Sequence, residues 1–372
     1  MKEKKRILFV MHLPPPIHGA SMMGKYTHDS ELLNTIFDCK YINLSASSNL
    51  EEVGHISIKK FIFMITNLKN VITTVIRFKP DICYVTPTSW GWAFYRDFLL
   101  IQLLKWTGVK IILHFHNKAS KTWVSKYYNK ILLKIFFKKV KIILLGKELY
   151  AEKAPFIDED NVFYCPNGIP AAIKTKINLD KKSERTHFLF LSNMMEEKGI
   201  YILLKACSIL KKRKYTFQCD FIGKWKDVTE VDFLQNIVSH NLEDNVTAHG
   251  PKYGSEKAIF FEHADVFVFP TYYQSETFGL VLLEAMDYSL PCLSTVNGAI
   301  PSVITEGVTG YCLPQKDVDA LVDRMIWMIE HPNERKIMGE VGNRRFEEQF
   351  TLKKYEEHLI DIFCDLAQDS DV

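Results

Sequence analysis

The chain has 372 residues, of which 47% are hydrophobic, so it is long enough for two domains with their own cores and too apolar for a disordered protein. Its net charge of +3 is unevenly distributed: residues 1–170 hold 24 Lys and Arg against 13 Asp and Glu, and residues 171–372 hold 23 against 31. A basic half joined to an acidic half indicates that the first half faces something anionic, either nucleic acid or an anionic membrane surface.

In the first half of the chain, short apolar strands alternate with helices. A strand at 6–11 leads through a loop rich in Pro and Gly at 14–20 into a helix at about 22–33. Further strands are predicted at 38–44, 82–86, 110–114, 142–145 and 162–164, with helical segments between them.

The second half repeats this alternation after a polar stretch at 171–186, which we interpret as an interdomain linker. Its strands are predicted at 187–191, 217–222, 246–249, 266–269 and 291–294, and its helices at 200–212, 232–240 and beyond 317. The last segment, 351–372, contains an amphipathic helix that can pack back on the N-terminal domain. Alternating strands and helices predict an α/β fold with two Rossmann-like, doubly wound domains, residues 1–172 and 173–350.

The cysteines and the apolar runs bear on the cellular compartment. The eight cysteines form no Cys-x-x-Cys pair, so we expect reduced thiols rather than a disulfide or zinc framework. The apolar run at 7–11 is too short for a signal sequence, and no stretch approaches 18 uninterrupted apolar residues. These features predict a cytoplasmic protein without a transmembrane span.

The stretch at 271–286 is the most informative part of the sequence. It places two carboxylates, Glu276 and Glu284, eight positions apart around the start of a helix. A helix start carries free N–H groups and about half a positive charge, which favour a phosphate group. Two acids that can bind hydroxyl groups around one phosphate site indicate a nucleotide-sugar. The alternative is that Glu276 caps the helix and that Glu284 pairs with a neighbouring side chain.

Other candidates lie where predicted strands end, which is where ligands bind in sheets of this type. Gly19 allows a substrate to approach the backbone, and Ser21 can cap the next helix. His116 can exchange a proton near neutral pH. Lys198 begins a helix whose end is already positive, a conflict that a bound diphosphate would relieve. The alternatives are a plain strand–helix turn, a structural histidine and a surface lysine.

Together these residues resemble the retaining nucleotide-sugar glycosyltransferases of family 4, which have the GT-B fold. The resemblance covers nearly the whole chain and is densest at 192–310. It rests on Glu276 and Glu284 as the two glutamates of the family signature, Lys198-Gly199 as its Lys-Gly pair, Asn167-Gly168, the turn from Gly307 to Gly310, Gly19 in the first loop and His116 on the acceptor side.

The resemblance implies two domains facing each other across a cleft, with the acceptor on the N-terminal side and the donor on the C-terminal side. Glu284 would bind the ribose, Glu276 the hydroxyl groups of the transferred sugar, and His116 would position the sugar or the acceptor. Lys198 and the backbone around the helix start would hold the diphosphate and stabilise its charge as it leaves. The donor-binding set is Gly19, Asn193, Lys198, Thr277, Phe278, Gly279, Leu280 and Glu284.

The sequence departs from the family at two positions. Asn193 stands where the family usually has an Arg, so a second cation on the diphosphate is missing or comes from elsewhere. Ser302 stands where many members have Glu. We expect no metal and no other cofactor, because the two Asp-x-Asp matches, at 158–160 and 317–319, lie in a charged loop and at a helix start rather than directly after a buried strand.

The basic half bears on the acceptor. Segment 123–141 reads as one helix on which lysines 126, 130, 134 and 138 recur every four residues beside aromatic and aliphatic side chains. This pattern suits anionic lipid headgroups, and the alternative is an ordinary solvated face. The sequence therefore predicts peripheral contact with the inner face of the cell membrane and a glycan or polyprenyl-linked glycan as acceptor.

The leading interpretation is a retaining glycosyltransferase of cell-surface polysaccharide biosynthesis, with a UDP-sugar favoured over a GDP-sugar as donor. The alternatives are a nucleotide-sugar epimerase or a phosphorylase on the same fold, and a binding protein that does not catalyse a reaction. Nucleic acid is not expected as a partner, because no aromatic-basic recognition motif supports it.

Overall fold

The computed structural model describes residues 4–45, 58–174 and 185–368. The chain divides into two compact units: one comprises the residues up to Gly168 together with those from Leu352 onward, and the other comprises Ile169–Thr351. Most of the predicted linker, residues 175–184, lies outside the described ranges.

The N-terminal unit is built on a six-stranded parallel sheet. Within the described residues its strands are β1 (Arg6–Met11), β2 (Asp38–Asn43), β3 (Ile82–Val85), β4 (Lys110–His114), β5 (Lys141–Leu144) and β6 (Val162–Tyr164). Its helices before the linker are α1 (Gly19–Asp29), α2 (Glu31–Ile36), α3 (Ile58–Phe78), α4 (Gly91–Trp106), α5 (Lys121–Ser125) and α6 (Tyr127–Phe137). The strand order is β2-β1-β3-β4-β5-β6, so the direction in which successive strands are added to the sheet reverses between β1 and β3.

The C-terminal unit repeats this plan. Its strands are β7 (Thr186–Leu191), β8 (Phe217–Ile222), β9 (Val246–Ala248), β10 (Val266–Phe269), β11 (Cys292–Thr295) and β12 (Gly310–Leu313). Its helices are α7 (Ile200–Lys212), α8 (Glu230–Ser239), α9 (Gly254–His263), α10 (Leu280–Asp287), α11 (Ile300–Val303), α12 (Val318–Glu330) and α13 (Pro332–Gln349). The parallel strands run in the order β12-β11-β10-β7-β8-β9, which places the change of direction between β7 and β10.

The last helix of the chain, α14 (Leu352–Gln368), belongs to the N-terminal unit. The hydroxyl of its buried Tyr355 lies 2.9 Å from the hydroxyl of Thr27 on α1. The ring of Phe363 packs edge-on against Phe9 of β1, with 5.7 Å between ring centroids. An apolar face repeated at helical spacing accounts for this burial, since it gives α14 a side that only a core can cover.

The predicted strands are confirmed, with their ends shifted by one or two residues at most. The single helix predicted at 22–33 is wrong, because Ser30 separates α1 from α2. The Ser30 backbone is extended, and its hydroxyl accepts a hydrogen bond from the N–H of Leu33, which makes it the N-cap of a new helix. The short strand β12 was not predicted. Among the described residues, no helix is both long and apolar enough to cross a membrane.

Candidate active site

The candidate donor-binding residues lie where the strand order of the C-terminal sheet reverses, between β7 and β10. The segment at 192–199 follows β7 and the segment at 270–279 follows β10, and these two strands are neighbours in the sheet. Loops that leave adjacent parallel strands on opposite sides open a crevice, which is where ligands bind in doubly wound sheets. The order of the strands alone therefore locates the candidate site.

Lys198 and Glu276 meet at this crevice. The Nζ atom of Lys198 lies 2.7 Å from Oε2 of Glu276, and the two side chains are only 13% and 12% exposed. The ammonium group also lies over the ring of Tyr273, 4.4 Å from its centroid. A cation held by a carboxylate and an aromatic face has little freedom to move, so Lys198 presents a positioned charge to any ligand that enters.

The backbone around Lys198 is fixed by a close approach to the loop after β10. Lys198 ends a 3₁₀ turn, Glu196–Lys198, and Gly199 follows with φ of 92°. A Cβ atom at position 199 would lie 2.2 Å from the carbonyl oxygen of Pro270, so the approach requires glycine. The N–H of Tyr272 donates to the carbonyl of Glu197 at 2.8 Å and ties the two segments together.

A turn at 297–299 supports the segment that carries Glu276. The amide of Asn297 donates to the carbonyl of Tyr273, and the N–H of Ala299 donates to the carbonyl of Thr277 at 2.7 Å. Gly298 has φ of 57°, and a Cβ atom there would lie 2.5 Å from the Thr277 carbonyl oxygen. The segment that carries Glu276 is thus held in place by one side-chain and one backbone hydrogen bond from this turn.

The start of α10 presents free donors, as the sequence predicts. Gly279 is the N-cap with φ of 77° and no side-chain cap. Within the described residues, no group accepts a hydrogen bond from the N–H of Phe278, Gly279 or Leu280. The Phe278 side chain is 2% exposed and packs edge-on against Phe350, so it can contribute to a ligand site only through its backbone.

Glu284 lies on α10 and is paired with a lysine that the sequence did not reveal. Its Oε2 atom lies 2.5 Å from Nζ of Lys257 on α9. The sequence-based alternative for Glu284, pairing with a neighbouring side chain, is therefore present in the structure. Lys257 was missed because the two residues lie 27 positions apart on different helices, where no periodic pattern connects them.

Asn193 is exposed and offers an uncharged side chain beside this site. Its backbone carbonyl accepts from the N–H of Met195. The preceding residue, Ser192, packs closely against Gly223: a Cβ atom added at position 223 would lie 1.7 Å from the Ser192 carbonyl oxygen. The backbone beside Asn193 is therefore fixed, and the side chain at this position carries no charge.

Gly19 and the first loop belong to the N-terminal unit. Gly19 is the first residue of α1, and the N-cap is His18, whose Nδ1 atom accepts from the N–H of Ser21 at 3.3 Å. The Ser21 hydroxyl in turn accepts from the N–H of His18, which completes a capping box. Ser21 is therefore the third residue of α1 rather than its cap, and the helix begins three residues earlier than predicted.

His116 follows β4 in the same unit and lies close to other histidines. Its ring centroid is 4.1 Å from that of His114. The pKa of His116 is lowered to about 3, chiefly by burial and to a smaller extent by the neighbouring His12 and His18, while Asn167 acts in the opposite direction. The imidazole is therefore neutral at pH 7, and its buried Nδ1 atom has no hydrogen-bond partner among the described residues. A neutral ring suits hydrogen bonding to a sugar hydroxyl.

The acidic pairs considered as metal ligands have other positions. Asp317 is the N-cap of α12, and its carboxylate accepts from the N–H of Ala320 at 2.9 Å. Asp158 precedes a 3₁₀ turn at Glu159–Asn161. In the described ranges, no three or more His, Cys, Asp or Glu side chains are grouped so that they could hold a metal ion.

The C-terminal unit is similar in sequence to known glycosyltransferases. Residues 173–345 match the family model described as glycosyl transferases group 1. Similar curated proteins include D-inositol 3-phosphate glycosyltransferase from Arthrobacter sp. strain FB24, 28% identical over 49% of this chain and 45% of that protein. The capsular polysaccharide biosynthesis glycosyltransferase CapM from Staphylococcus aureus is 26% identical over 56% of each chain. The chain thus spans about half the length of the curated relatives it matches.

Solved structures extend the likeness to both units. A glycosyltransferase from Rickettsia africae ESF-5 superposes with a TM-score of 0.75 over 99% of this chain and 100% of its own, at 18% identity. HepE from Anabaena in complex with UDP gives 0.73 over 97% and 100%, at 14% identity. The fold is therefore GT-B. The resemblance to glycosyltransferases of this type is confirmed, and its sequence match lies in the unit that carries Lys198, Glu276 and Glu284.

Proposed function

We propose that this chain, whose C-terminal unit carries a group 1 glycosyl transferase domain, is a retaining glycosyltransferase. It moves a sugar from a nucleoside-diphosphate sugar to a glycan or lipid-linked glycan during the synthesis of a cell-surface polysaccharide. The observation that carries this proposal is the partly buried ion pair of Lys198 and Glu276, held beside the open N-terminus of α10.

The donor would bind along this arrangement. The N–H groups of Phe278, Gly279 and Leu280 would donate hydrogen bonds to the diphosphate at the positive end of α10. Lys198 would neutralise the charge that grows on the diphosphate as the glycosidic bond breaks, which stabilises the transition state more than the ground state. Glu276 would bind hydroxyl groups of the sugar, and Glu284 those of the ribose.

Transfer with retention would proceed by attack on the same face of the sugar. The bond between the anomeric carbon and the diphosphate oxygen breaks, and the diphosphate leaves with the electron pair. The acceptor hydroxyl forms the new bond, and its proton passes to a phosphate oxygen. Neutral His116 supports this scheme as a hydrogen-bonding group for the sugar or the acceptor rather than as a charged acid.

A UDP-sugar is the favoured donor. HepE from Anabaena, which shares the fold, was solved with UDP and with UDP-glucose. Similar curated proteins act on several polysaccharides, among them O-antigen chain mannosyltransferase C from Escherichia coli, 31% identical over 48% of this chain and 45% of that protein. These names support cell-surface polysaccharide synthesis as the setting and leave the choice of sugar to experiment.

The acceptor side would contact an anionic membrane surface. Segment 123–141 is not the single helix predicted: α5 ends at Ser125, α6 begins at Tyr127, and β5 begins at Lys141. The lysines and several large apolar residues of this segment are nevertheless exposed together, namely Lys126, Lys130, Lys134, Lys138, Tyr127, Tyr128, Ile131 and Ile135. Exposed aromatic and aliphatic side chains among lysines suit the interface of anionic lipids, and a lipid-linked acceptor would be found there.

A thermal-shift panel of UDP, GDP and ADP tests the donor site. A nucleotide at 100 times its dissociation constant adds about 2.7 kcal/mol to the free energy of unfolding, which raises the melting temperature measurably. We expect selective stabilisation by one nucleotide, with the effect much reduced in Lys198→Ala and unchanged in Lys212→Ala, an exposed lysine at the end of α7. No shift with any of the three would refute the donor site.

Turnover separates the enzyme from its alternatives. With a nucleotide-sugar and membrane extract as acceptor source, a glycosyltransferase releases the free nucleoside diphosphate and depends on the extract. An epimerase converts the nucleotide-sugar without any acceptor. A binding protein shows the thermal shift and neither reaction.

A further inference from the structure

Lys257 and Glu284 join helices α9 and α10 at the edge of the proposed donor site. The Nζ atom of Lys257 lies 2.5 Å from Oε2 of Glu284, and the two side chains are 29% and 25% exposed. Lys257 lies near the start of α9 and Glu284 in the middle of α10. Because most of the pair is shielded from water, the lysine restricts the orientation of the carboxylate more than an exposed partner would.

The charges of the site indicate why such a pair is useful. A nucleoside diphosphate brings its negative charge close to Glu276 and Glu284, and two uncompensated carboxylates would repel it. Lys198 offsets the charge of Glu276. Asn193 carries no charge, and Lys257 offsets the charge of Glu284. With both pairs intact, the two acids and two lysines add no net repulsion toward the ligand.

The hydrogen-bonding capacity of Glu284 remains available in this arrangement. An ionised carboxylate offers about four lone-pair positions on two oxygens. The ammonium group of Lys257 occupies one position on Oε2. The remaining lone pairs can accept hydrogen bonds from the two neighbouring hydroxyl groups of a ribose. Because Lys257 holds one carboxylate oxygen, it sets the direction in which these lone pairs point.

We propose that Lys257 is a positioning residue for donor recognition. Its ion pair holds Glu284 as an oriented carboxylate that accepts from the ribose hydroxyls, and this gives the site its preference for ribonucleotides over deoxyribonucleotides. The inference rests on the proposed function, in which Glu284 faces the ribose. Lys257 itself acts through Glu284 and touches neither the sugar nor the breaking bond.

Titration calorimetry on the full chain tests this role. The dissociation constants are measured for UDP, GDP and ADP, and then for the 2′-deoxy and 3′-deoxy analogues of the nucleotide that binds best. We expect the ribonucleotide to bind about tenfold more tightly than the analogues, in line with one charge-assisted hydrogen bond. Lys257→Met should remove most of that preference, and Lys257→Arg should keep it. The control Lys212→Met changes the same charge at an exposed position and should have no effect.

Different failures can be told apart. If none of the three nucleotides binds the unaltered protein, the proposed function itself is refuted. If Glu284→Gln loses the ribose preference but Lys257→Met keeps it, the donor site stands and the inference about Lys257 is overturned. The inference is also overturned if Lys257→Met only lowers the melting temperature, or if it binds the ribonucleotide more tightly with its preference intact. No ribose preference in the unaltered protein overturns both the inference and the assignment of Glu284 to the ribose.

Discussion

Gly199→Ala should disturb the donor site by way of the backbone. Gly199 has φ of 92°, and a methyl group there would lie 2.2 Å from the carbonyl oxygen and 2.8 Å from the Cγ atom of Pro270. Neither atom belongs to a flexible side chain. The 3₁₀ turn that carries Lys198 must therefore move away from the loop after β10, and the hydrogen bond from Tyr272 to Glu197 must lengthen or break.

The expected cost has two parts. A non-glycine residue in the left-handed region costs about 1–2 kcal/mol. Overpacking against an immobile backbone adds about 1–3 kcal/mol. The sum is about 2–5 kcal/mol. Since 1 kcal/mol corresponds to about 2–4 °C in a domain of this size, the melting temperature of the C-terminal unit should fall by at least about 4 °C.

Gly307→Ala is the matched control. Gly307 lies in the same unit with φ of 71°, and nothing lies within 4 Å of an added Cβ atom. It should show only the backbone part of the cost, about 1–2 kcal/mol. Scanning calorimetry gives both melting temperatures, and titration with the nucleotide selected by the thermal-shift panel gives the effect on binding. Equal destabilisation of the two variants, or unchanged nucleotide binding in Gly199→Ala, would refute the reasoning.

Three further predictions concern the N-terminal unit. Burial lowers the pKa of Lys153, which lies over the ring of Phe115, to about 8 from 10.5, so the folded state binds fewer protons than the unfolded state between these values. The free energy of unfolding of the unaltered protein should therefore rise with pH across that window. In urea denaturation, Lys153→Met should be more stable than the unaltered protein by up to about 3 kcal/mol at pH 7.5, and this difference should vanish near pH 10.5. A difference in stability that does not change with pH would contradict this prediction. Asn129→Ala should lower the free energy of unfolding by about 1–3 kcal/mol, because the buried side-chain amide donates to the carbonyl of Trp123 at 2.7 Å and accepts from the Tyr95 hydroxyl at 3.1 Å. Thermal melting measures this loss, and an unchanged melting temperature would show that these hydrogen bonds are dispensable. Replacing the exposed lysines 126, 130, 134 and 138 by glutamine should abolish flotation of the protein with anionic liposomes and leave nucleotide binding intact. Undiminished flotation would rule out membrane contact through these four lysines.

The sequence predicted the sheets well because parallel strands buried on both faces are short, continuous apolar runs. β1 and β10 are of this kind. It also placed Lys198 and Glu276 after the ends of two strands, and the structure shows that these strands, β7 and β10, are neighbours in the sheet.

Other features depend on contacts that no local pattern encodes. Ser30 divides a helix through one hydrogen bond, and His18 caps α1 although histidine is not a favoured N-cap residue. Lys257 looks like any lysine near a helix start until α9 and α10 are packed together. The requirement for glycine at position 199 becomes visible only when the Pro270 carbonyl is in place.

The position of α14 reverses the order in which the two units can be completed during synthesis. The N-terminal unit leaves the ribosome first, yet Thr27 and Phe9 meet their partners Tyr355 and Phe363 only after the final helix has been made. The C-terminal unit is one continuous stretch, Ile169–Thr351, and all of it is available before that helix emerges. A nonsense mutation just before Leu352 would therefore leave a complete C-terminal unit attached to an N-terminal unit with an open core, exposed to proteases and chaperones.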